Sequence, residues 1–474
     1  MIAAVNLLAS SPQAPPNIVI FERSGQVGAG AAFSTNCPSH LLNVPAGGMS
    51  ALEDRPGHFL HWLDCRQPGI FSAGSFVPRR LYRRYLRDAL ISQSSRSPGR
   101  VDVVAAEVVD IEPSGSGARV VGSWGRPLQA DVVVLALGLL GPKYPAGLIA
   151  ADARGRFIAN PWEEGALDRI SPGSTVAMLG TGLTAVDVLL SLREQGHIGP
   201  VHAISRHGLL PQVHRPARGA GQPSALATRL AEDVTGSSAR ELVRRSRQAA
   251  RQAAELGSDW REVFDALRWR AQELWLSLDG EEKARFRRHA ERYWNIHRHR
   301  MAREVGQELD HLRELGVFNV HAGRALAVSA QGDRLDLEVK LRAAQRSYHW
   351  RADWVVNCTG PTTDLLSGGA PLLDRMRSRG LVQPGPLGIG LATGLSGQVT
   401  DVGLGAVGWL WALGSLRQGQ LLESTAVPEI RAQAAQLAPL LLEALEQPPP
   451  AALWHPSRAR GRPERSLAGT GARP

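Results

Sequence analysis

Residues 176–206 read VAMLGTGLTAVDVLLSLREQGHIGPVHAISR, and this stretch decides the fold. The apolar run Val176, Ala177, Met178 and Leu179 predicts a buried strand. Gly180, Gly182 and Ala185 follow in G-x-G-x-x-A spacing. Leu183, Val186, Leu189, Leu190 and Leu192 then recur at helical period, and residues 201–204 predict a second strand. Strand, glycine turn, helix and strand together make a βαβ dinucleotide-binding unit. Gly180 permits the tight turn, Gly182 lets a pyrophosphate approach the backbone, and Ala185 lets the helix sit on the strand. Thr181, Leu183 and Thr184 then lie where helix N–H groups would face phosphates. An NAD site carries an acid at the end of the second strand. Here Ser205 and Arg206 stand there, a hydroxyl and a cation suited to a 2′-phosphate, so NADPH is expected over NADH.

Working outward, the N-terminus repeats part of this pattern. AAVNLL at 3–8 resembles AVDVLL at 185–190, and both precede a loop and an apolar strand, the first being residues 17–21. That strand ends in Glu22, an acid suited to a ribose hydroxyl. Residues 1–22 therefore read as the rear of a second nucleotide-binding unit. Its first strand and glycine loop would fall just before Met1, through either a late start assignment or a lost phosphate loop.

The 24–51 loop is glycine-rich yet apolar, which suits close approach to a flat cofactor. A helix is expected from Pro78, with Leu81, Tyr85 and Leu86 inward. Strands are expected at 101–104 and 131–137, with a hairpin at 106–123. The 131–137 strand leads to Gly138, and residues 352–361 mirror it, ending at Gly360. Residues 223–315 read as helices. One stripe is Trp260, Phe264, Leu267, Ala271 and Leu274. A second is Phe286, His289, Tyr293, His297 and Arg300. Four short strands are expected at 317–322, 326–329, 335–341 and 347–350, and a last one at 410–414 ends in Gly414. Pro428 opens a final helix, and the Pro-, Arg- and Gly-rich residues 448–474 predict a disordered tail.

Composition removes other classes. The chain has 474 residues and a net charge of +10. Only Lys143, Lys283 and Lys340 are lysine, so 51 of the 54 basic residues are Arg. Such a skew, scattered along the chain, points to codon usage rather than a nucleic-acid surface. No apolar run approaches transmembrane length. Cys37, Cys65 and Cys358 form no C-x-x-C pair. No disulfide framework or metal site is expected, and a reducing cytoplasm is. His297-Arg298-His299-Arg300 lacks neighbouring carboxylate or thiol ligands, and so reads as a helix end rather than a metal site.

The motifs GAGAAFST at 28–35, HLLNVPAGGMSA at 40–51, FVPRRLYRRYL at 76–86, GTGLTAVDVLLSL at 180–192, SRHGLLPQVHR at 205–215, WNIHRHRM at 294–301, VVNCTGP at 355–361 and ESTAVPEIR at 423–431 carry a resemblance. Over about residues 1–445 the chain resembles FAD/NAD(P)-binding oxidoreductases. That group is distantly related to class B flavin monooxygenases and amine N-hydroxylases, and it includes FAD-dependent urate hydroxylase-like members. The resemblance implies an α/β fold with two Rossmann-like domains and a helical insertion. FAD would occupy residues 1–145 and 352–447, and NADPH residues 146–351. It implies Glu22 at the FAD ribose, Asn43, Gly47, Gly48, Met49 and Ser50 along the flavin, and Gly414 near the flavin or its ribityl phosphate. The missing first glycine loop departs from the pattern and bears on FAD affinity.

The implied chemistry is hydride transfer from NADPH to flavin followed by reaction with molecular oxygen, hydroxylating a small-molecule substrate. It needs no nucleophilic triad, and no catalytic base stands out. His214, His297 and Arg300 are candidates for the cleft, with structural roles favoured. A flavin-dependent reductase or dehydrogenase without oxygen transfer stays open, as does a truncated, non-catalytic NADP-binding protein.

Overall fold

The computed structural model describes residues 1–11, 13–145, 147–215, 224–364 and 370–447. Pro216, the start of the expected insertion at 223 and the expected tail at 448–474 lie outside the described residues.

The deciding stretch folds as a strand Val176–Leu179, a helix Leu183–Glu194 and a strand Val201–Ser205, the two strands pairing in parallel. All four residues of the first strand are buried, as expected for a strand covered on both faces. Ala185 is fully buried where the helix meets the sheet. Seven strands make this sheet, in the order Tyr348–Ala352, Arg334–Leu341, Phe318–Gln331, Val201–Ser205, Val176–Leu179, Trp354–Asn357, Phe157–Ile158.

Two expectations are corrected here. The strands at 317–322 and 326–329 are one strand of 14 residues, Phe318–Gln331. Its first part pairs in parallel with Val201–Ser205, and its second part pairs antiparallel with Arg334–Leu341. Gly323 opposite Leu341 carries the chain from one partner to the other, and a bulge between Ala325 and Ala327 takes up the register shift. The boundary at 352 also moves. Trp354–Asn357 pairs in parallel with Val176–Leu179, so it lies in the seven-stranded sheet of the second unit. Its apolar run is that of any doubly covered parallel strand, which is why it mimicked the 131–137 strand.

The first unit is built from both ends of the chain. Helix Ile2–Ser10 precedes strand Ile18–Phe21, which pairs in parallel with Val101–Val104. Strand Val133–Leu135 pairs in parallel with Ala406–Ala412, which pairs antiparallel with Gln398–Thr400. These two small sheets are not hydrogen-bonded to each other. Ile18 and Val134 nevertheless pack into one apolar cluster with Leu7 and Leu437. Leu437 lies on the helix Val427–Glu446, which has the expected Pro428 in its first turn. The expected hairpin gains a third strand, Leu128–Ala130. The helix Arg79–Ser94 follows Pro78 and buries Tyr82, Tyr85 and Leu86 against Phe59 and Trp62.

Among the described residues the insertion holds six helices: Ala225–Glu232, Ala239–Glu255, Trp260–Leu276, Gly280–His289, Glu291–Arg298 and Arg303–Glu314. Ser224, Ser238, Asp259 and Asp279 cap the first four by accepting from backbone N–H groups. The first stripe packs inward at Leu267 and Ala271, with Trp260, Phe264 and Leu274 partly buried. The second is not a stripe. The helix breaks at Ala290, His289 and Tyr293 are exposed, and Arg298 and Arg300 are buried.

Candidate functional site

The C-terminal ends of the parallel strands gather most of the expected residues. Gly180 has φ +122°, and an added Cβ would land on the Cys358 carbonyl. This close approach joins Gly180 to the chain entering Gly360, itself at φ +84°. Pro142 and Pro361 form an isolated bridge, so the segments following Gly138 and Gly360 lie side by side. Asn357 secures them, its Nδ2 donating to the carbonyls of Lys143 and Ala159.

Helix Leu183–Glu194 opens at Gly182 without a side-chain cap. Its first N–H groups are orphans by geometry, and Gly182 has open space beside it, the arrangement an anionic pyrophosphate requires. Thr181 is buried, and its hydroxyl donates to the Leu209 carbonyl at 2.6 Å. Ser205 is not a free ligand hydroxyl. Its Oγ lies 2.8 Å from Thr181 Oγ1 and accepts from Gly208 N, so it braces the turn. Arg206 is exposed.

In the first unit, Glu22 is half-buried at the strand end, where Oε1 accepts from Ser24 N and Oγ. The Gly414 N–H donates to Gln433 Oε1 at 3.1 Å, and Ser415 Oγ donates to the Gly138 carbonyl. Gly138 and Gly414 are thereby brought together. Around Gly414 the buried atoms Gln433 Nε2, Arg417 Nε and Ser424 Oγ have no hydrogen-bond partner. Orphaned polar atoms at parallel-strand ends fit a polar ligand such as FAD. Burial lowers the Arg417 pKa to about 10.

The 43–50 loop is held from several directions. His214 Nε2 lies 3.0 Å from the Asn43 carbonyl, and Arg431 Nη1 donates to the carbonyls of Gly48 and Ser50, both 3.3 Å away. Arg431 Nε also donates to Glu53. The side chains of Met49 and Ser50 are buried in the protein. Met49 packs in the core, and Ser50 Oγ donates to the Leu52 and Arg55 carbonyls. Asn43, Gly47 and Gly48 are partly exposed.

Of the three cleft candidates, His214 holds the loop, and burial followed by the nearby Arg300 brings its pKa down to about 3. His297 sits between Trp260 and Phe264 with its Nδ1 on the Tyr293 carbonyl. Arg300 pairs with Asp265. None is poised as a base.

Residues 1–140 match a family model described as FAD-NAD(P)-binding. Across solved structures, the chain is similar to Kutzneria sp. 744 ornithine N-hydroxylase at 16% identity, covering 94% of this chain and 96% of that one, with a TM-score of 0.60. It is similar to Pseudomonas aeruginosa ornithine hydroxylase at 16% identity, covering 94% and 96%, with a TM-score of 0.61. The Erwinia amylovora cadaverine monooxygenase bound to FAD gives 11% identity, 94% and 92%, and a TM-score of 0.61. At these identities the likeness establishes a shared fold. No curated protein sequence matches the chain. No helix among the described residues is long and apolar enough to cross a membrane.

Sequence reasoning missed the join between the units. Arg79 pairs bidentately with Asp187 at 2.7 and 3.1 Å, and His40 bridges Thr35 Oγ1 to the Asp187 carbonyl. The signal was a lone acid inside the apolar run 185–192. A second such join links Arg298 to Glu423 and Glu429, and Arg268 to Glu429, tying the helical insertion to the start of the last helix.

Proposed function

We propose that this chain is an FAD-dependent, NADPH-using oxidoreductase, and specifically a monooxygenase hydroxylating a small molecule with molecular oxygen, acting in the cytoplasm. The observation that carries the reading is the pairing of an FAD-NAD(P)-binding match at residues 1–140 with an uncapped glycine turn at Gly182, in a fold shared with flavin monooxygenases.

Bound FAD supplies hydride acceptance and oxygen activation. The chain's own residues do the holding. Glu22 offers a carboxylate oxygen to the FAD ribose, and Gly138, Gly414 and the orphaned atoms beside Gly414 receive the rest of the dinucleotide. Gly180, Gly182 and the N–H groups of Leu183 and Thr184 hold the NADPH pyrophosphate, while Thr181 and Ser205 brace their turn. Asn43, Gly47 and Gly48 line the flavin, with Met49 and Ser50 anchoring that loop. Gly360 closes the crossing between the units. In this reading residues 1–145 and 370–447 form the FAD unit.

The test is the visible spectrum of the purified chain with added FAD, followed by NADPH oxidation with product and peroxide both measured. Flavin bands near about 370 and 450 nm and product formed in step with NADPH use support the reading. Peroxide alone in the presence of a broad small-molecule panel favours a reductase without oxygen transfer. Absence of bound flavin with retained NADPH binding leaves a nucleotide-binding protein and sinks the enzyme.

A further inference from the structure

The sequence offered one cation, Arg206, for the 2′-phosphate of NADPH. The structure gathers others beside it from outside the Rossmann unit. Gly208 packs against the backbone of Ala322 on the neighbouring strand, and Arg342 N donates to the Ala322 carbonyl at 2.8 Å. The Arg342 guanidinium thereby reaches back across the sheet to His207 Nδ1 at 3.0 Å. Arg342 also lines a groove of about 510 Å³, together with Val320, His321, Ala322, Leu341 and Ala343. From the other side the helical insertion brings Tyr293 to 6.3 Å from the His207 ring, with the Arg292 guanidinium stacked 4.8 Å above Tyr293. Arg206, Arg292, Arg324 and Arg342 all lower the pKa of His207, after burial. Glu291, an acid of the insertion on which Arg206 also acts, is paired with Arg287. An exposed Arg342 bonded to an imidazole, with further arginines converging and no carboxylate paired with it among the described residues, is a site suited to an anion.

We infer that Arg342 and Arg292, supplied by the appended hairpin and the helical insertion, form the 2′-phosphate subsite of the adenosine half of NADPH, with the groove over Val320–Ala322 beside it. The inference rests on the NADPH reading of the Gly180 turn and adds to it the residues that set the choice between NADPH and NADH. Arg342 is a specificity-determining residue and Arg292 closes over the phosphate, so the insertion takes part in cofactor selection.

The probes are 2′,5′-ADP and 5′-AMP, titrated calorimetrically into the full chain; neither needs flavin or turnover. The wild type is expected to bind 2′,5′-ADP at least about tenfold more tightly than 5′-AMP, the gain of one charge-assisted contact. Arg342→Ala is expected to erase most of that preference while 5′-AMP affinity stays within about twofold. Arg292→Ala is expected to reduce it partly. Arg342 is exposed and Arg292 partly so, and an unchanged melting temperature confirms the fold of each variant. If the wild type discriminates and both variants still do, the inference is overturned and the NADPH reading stands. If the wild type does not discriminate, both fall.

Discussion

Gly180 and Gly182 stand two positions apart and lack side chains for opposite reasons. Gly180 is glycine because the protein itself fills the space, the Cys358 carbonyl lying where a Cβ would be, at a φ of +122°. Gly182 is glycine although nothing protein lies within 4 Å of its Cβ position and its φ is an ordinary −81°. In the proposed reading that open space admits the pyrophosphate. Gly180→Ala is therefore expected to cost about 3 kcal/mol of stability in denaturant unfolding, from backbone strain and the clash. Gly182→Ala is expected to cost less than about 1 kcal/mol. It should nevertheless weaken NADPH binding at least about tenfold in calorimetry, by blocking the pyrophosphate. Both glycines were legible in the sequence because their spacing encodes one local turn. The role of Ser205 was not, since its partner Thr181 lies 24 positions away and meets it only once the two strands pair.

At the scale of elements, the 43–50 loop shows how little of a site its own sequence specifies. Its glycines announced a close approach, yet what fixes it comes from three distant places: His214 on Asn43, Tyr85 hydroxyl accepting from Ala51 N, and Arg431 on Gly48 and Ser50. Arg431→Ala is expected to lower stability by about 1–2 kcal/mol. It should also speed amide hydrogen exchange across residues 46–52 and leave exchange in the Leu183–Glu194 helix unchanged. His214 gives the same element a pH dependence. Its pKa in the folded chain is about 3, below the ordinary value of 6.5, because burial and Arg300 disfavour the imidazolium. The folded state then binds fewer protons than the unfolded state. The stabilisation is complete above about pH 6.5 and is lost as pH falls toward 3. His214→Gln, which keeps a donor for the Asn43 carbonyl without titrating, is expected to show a flatter fall in melting temperature between pH 7 and pH 4.5. Equal slopes for the two proteins would refute this. The elements that misled were those whose partner changes along their length. Phe318–Gln331 looked like two strands because its two ends pair with different neighbours, and the residues from Phe286 to Arg300 looked like one stripe because periodicity carries no sign of the break at Ala290.

For the whole molecule, the division into two nucleotide-binding units was legible from the repeated strand–helix pattern, whereas the contact between them was not. That contact includes a buried ion pair. Arg79 and Asp187 have side chains only 12% and 7% exposed, and Arg79 Nε donates further to the Leu41 carbonyl. Burial dominates at His40, lowering its pKa; the ring meets Thr35 through one nitrogen and the Asp187 carbonyl and Ser191 hydroxyl through the other. The helix bearing Asp187 is the one whose N-terminus is proposed to hold the NADPH pyrophosphate, so this pair ties that helix to the Arg79–Ser94 helix of the first unit. A buried pair contributes little net stability, because desolvation offsets its attraction, but removing one partner strands the other. Asp187→Asn is expected to cost about 3–5 kcal/mol, since Arg79 keeps its charge without a counter-charge. The double variant Arg79→Met, Asp187→Leu is expected to recover most of that loss, because it removes both charges and keeps apolar volume. Nicotinamide-to-flavin hydride transfer should respond differently. It is expected to slow in both variants, because the apolar pair restores packing but not the direction that two parallel N–H···O bonds impose. Denaturant unfolding and single-turnover flavin reduction, measured on the same three proteins, separate the two roles. Recovery of stability without recovery of the reduction rate assigns the pair to orientation. Recovery of both would make it mere packing, and recovery of neither would mean that the buried charge itself holds the units together.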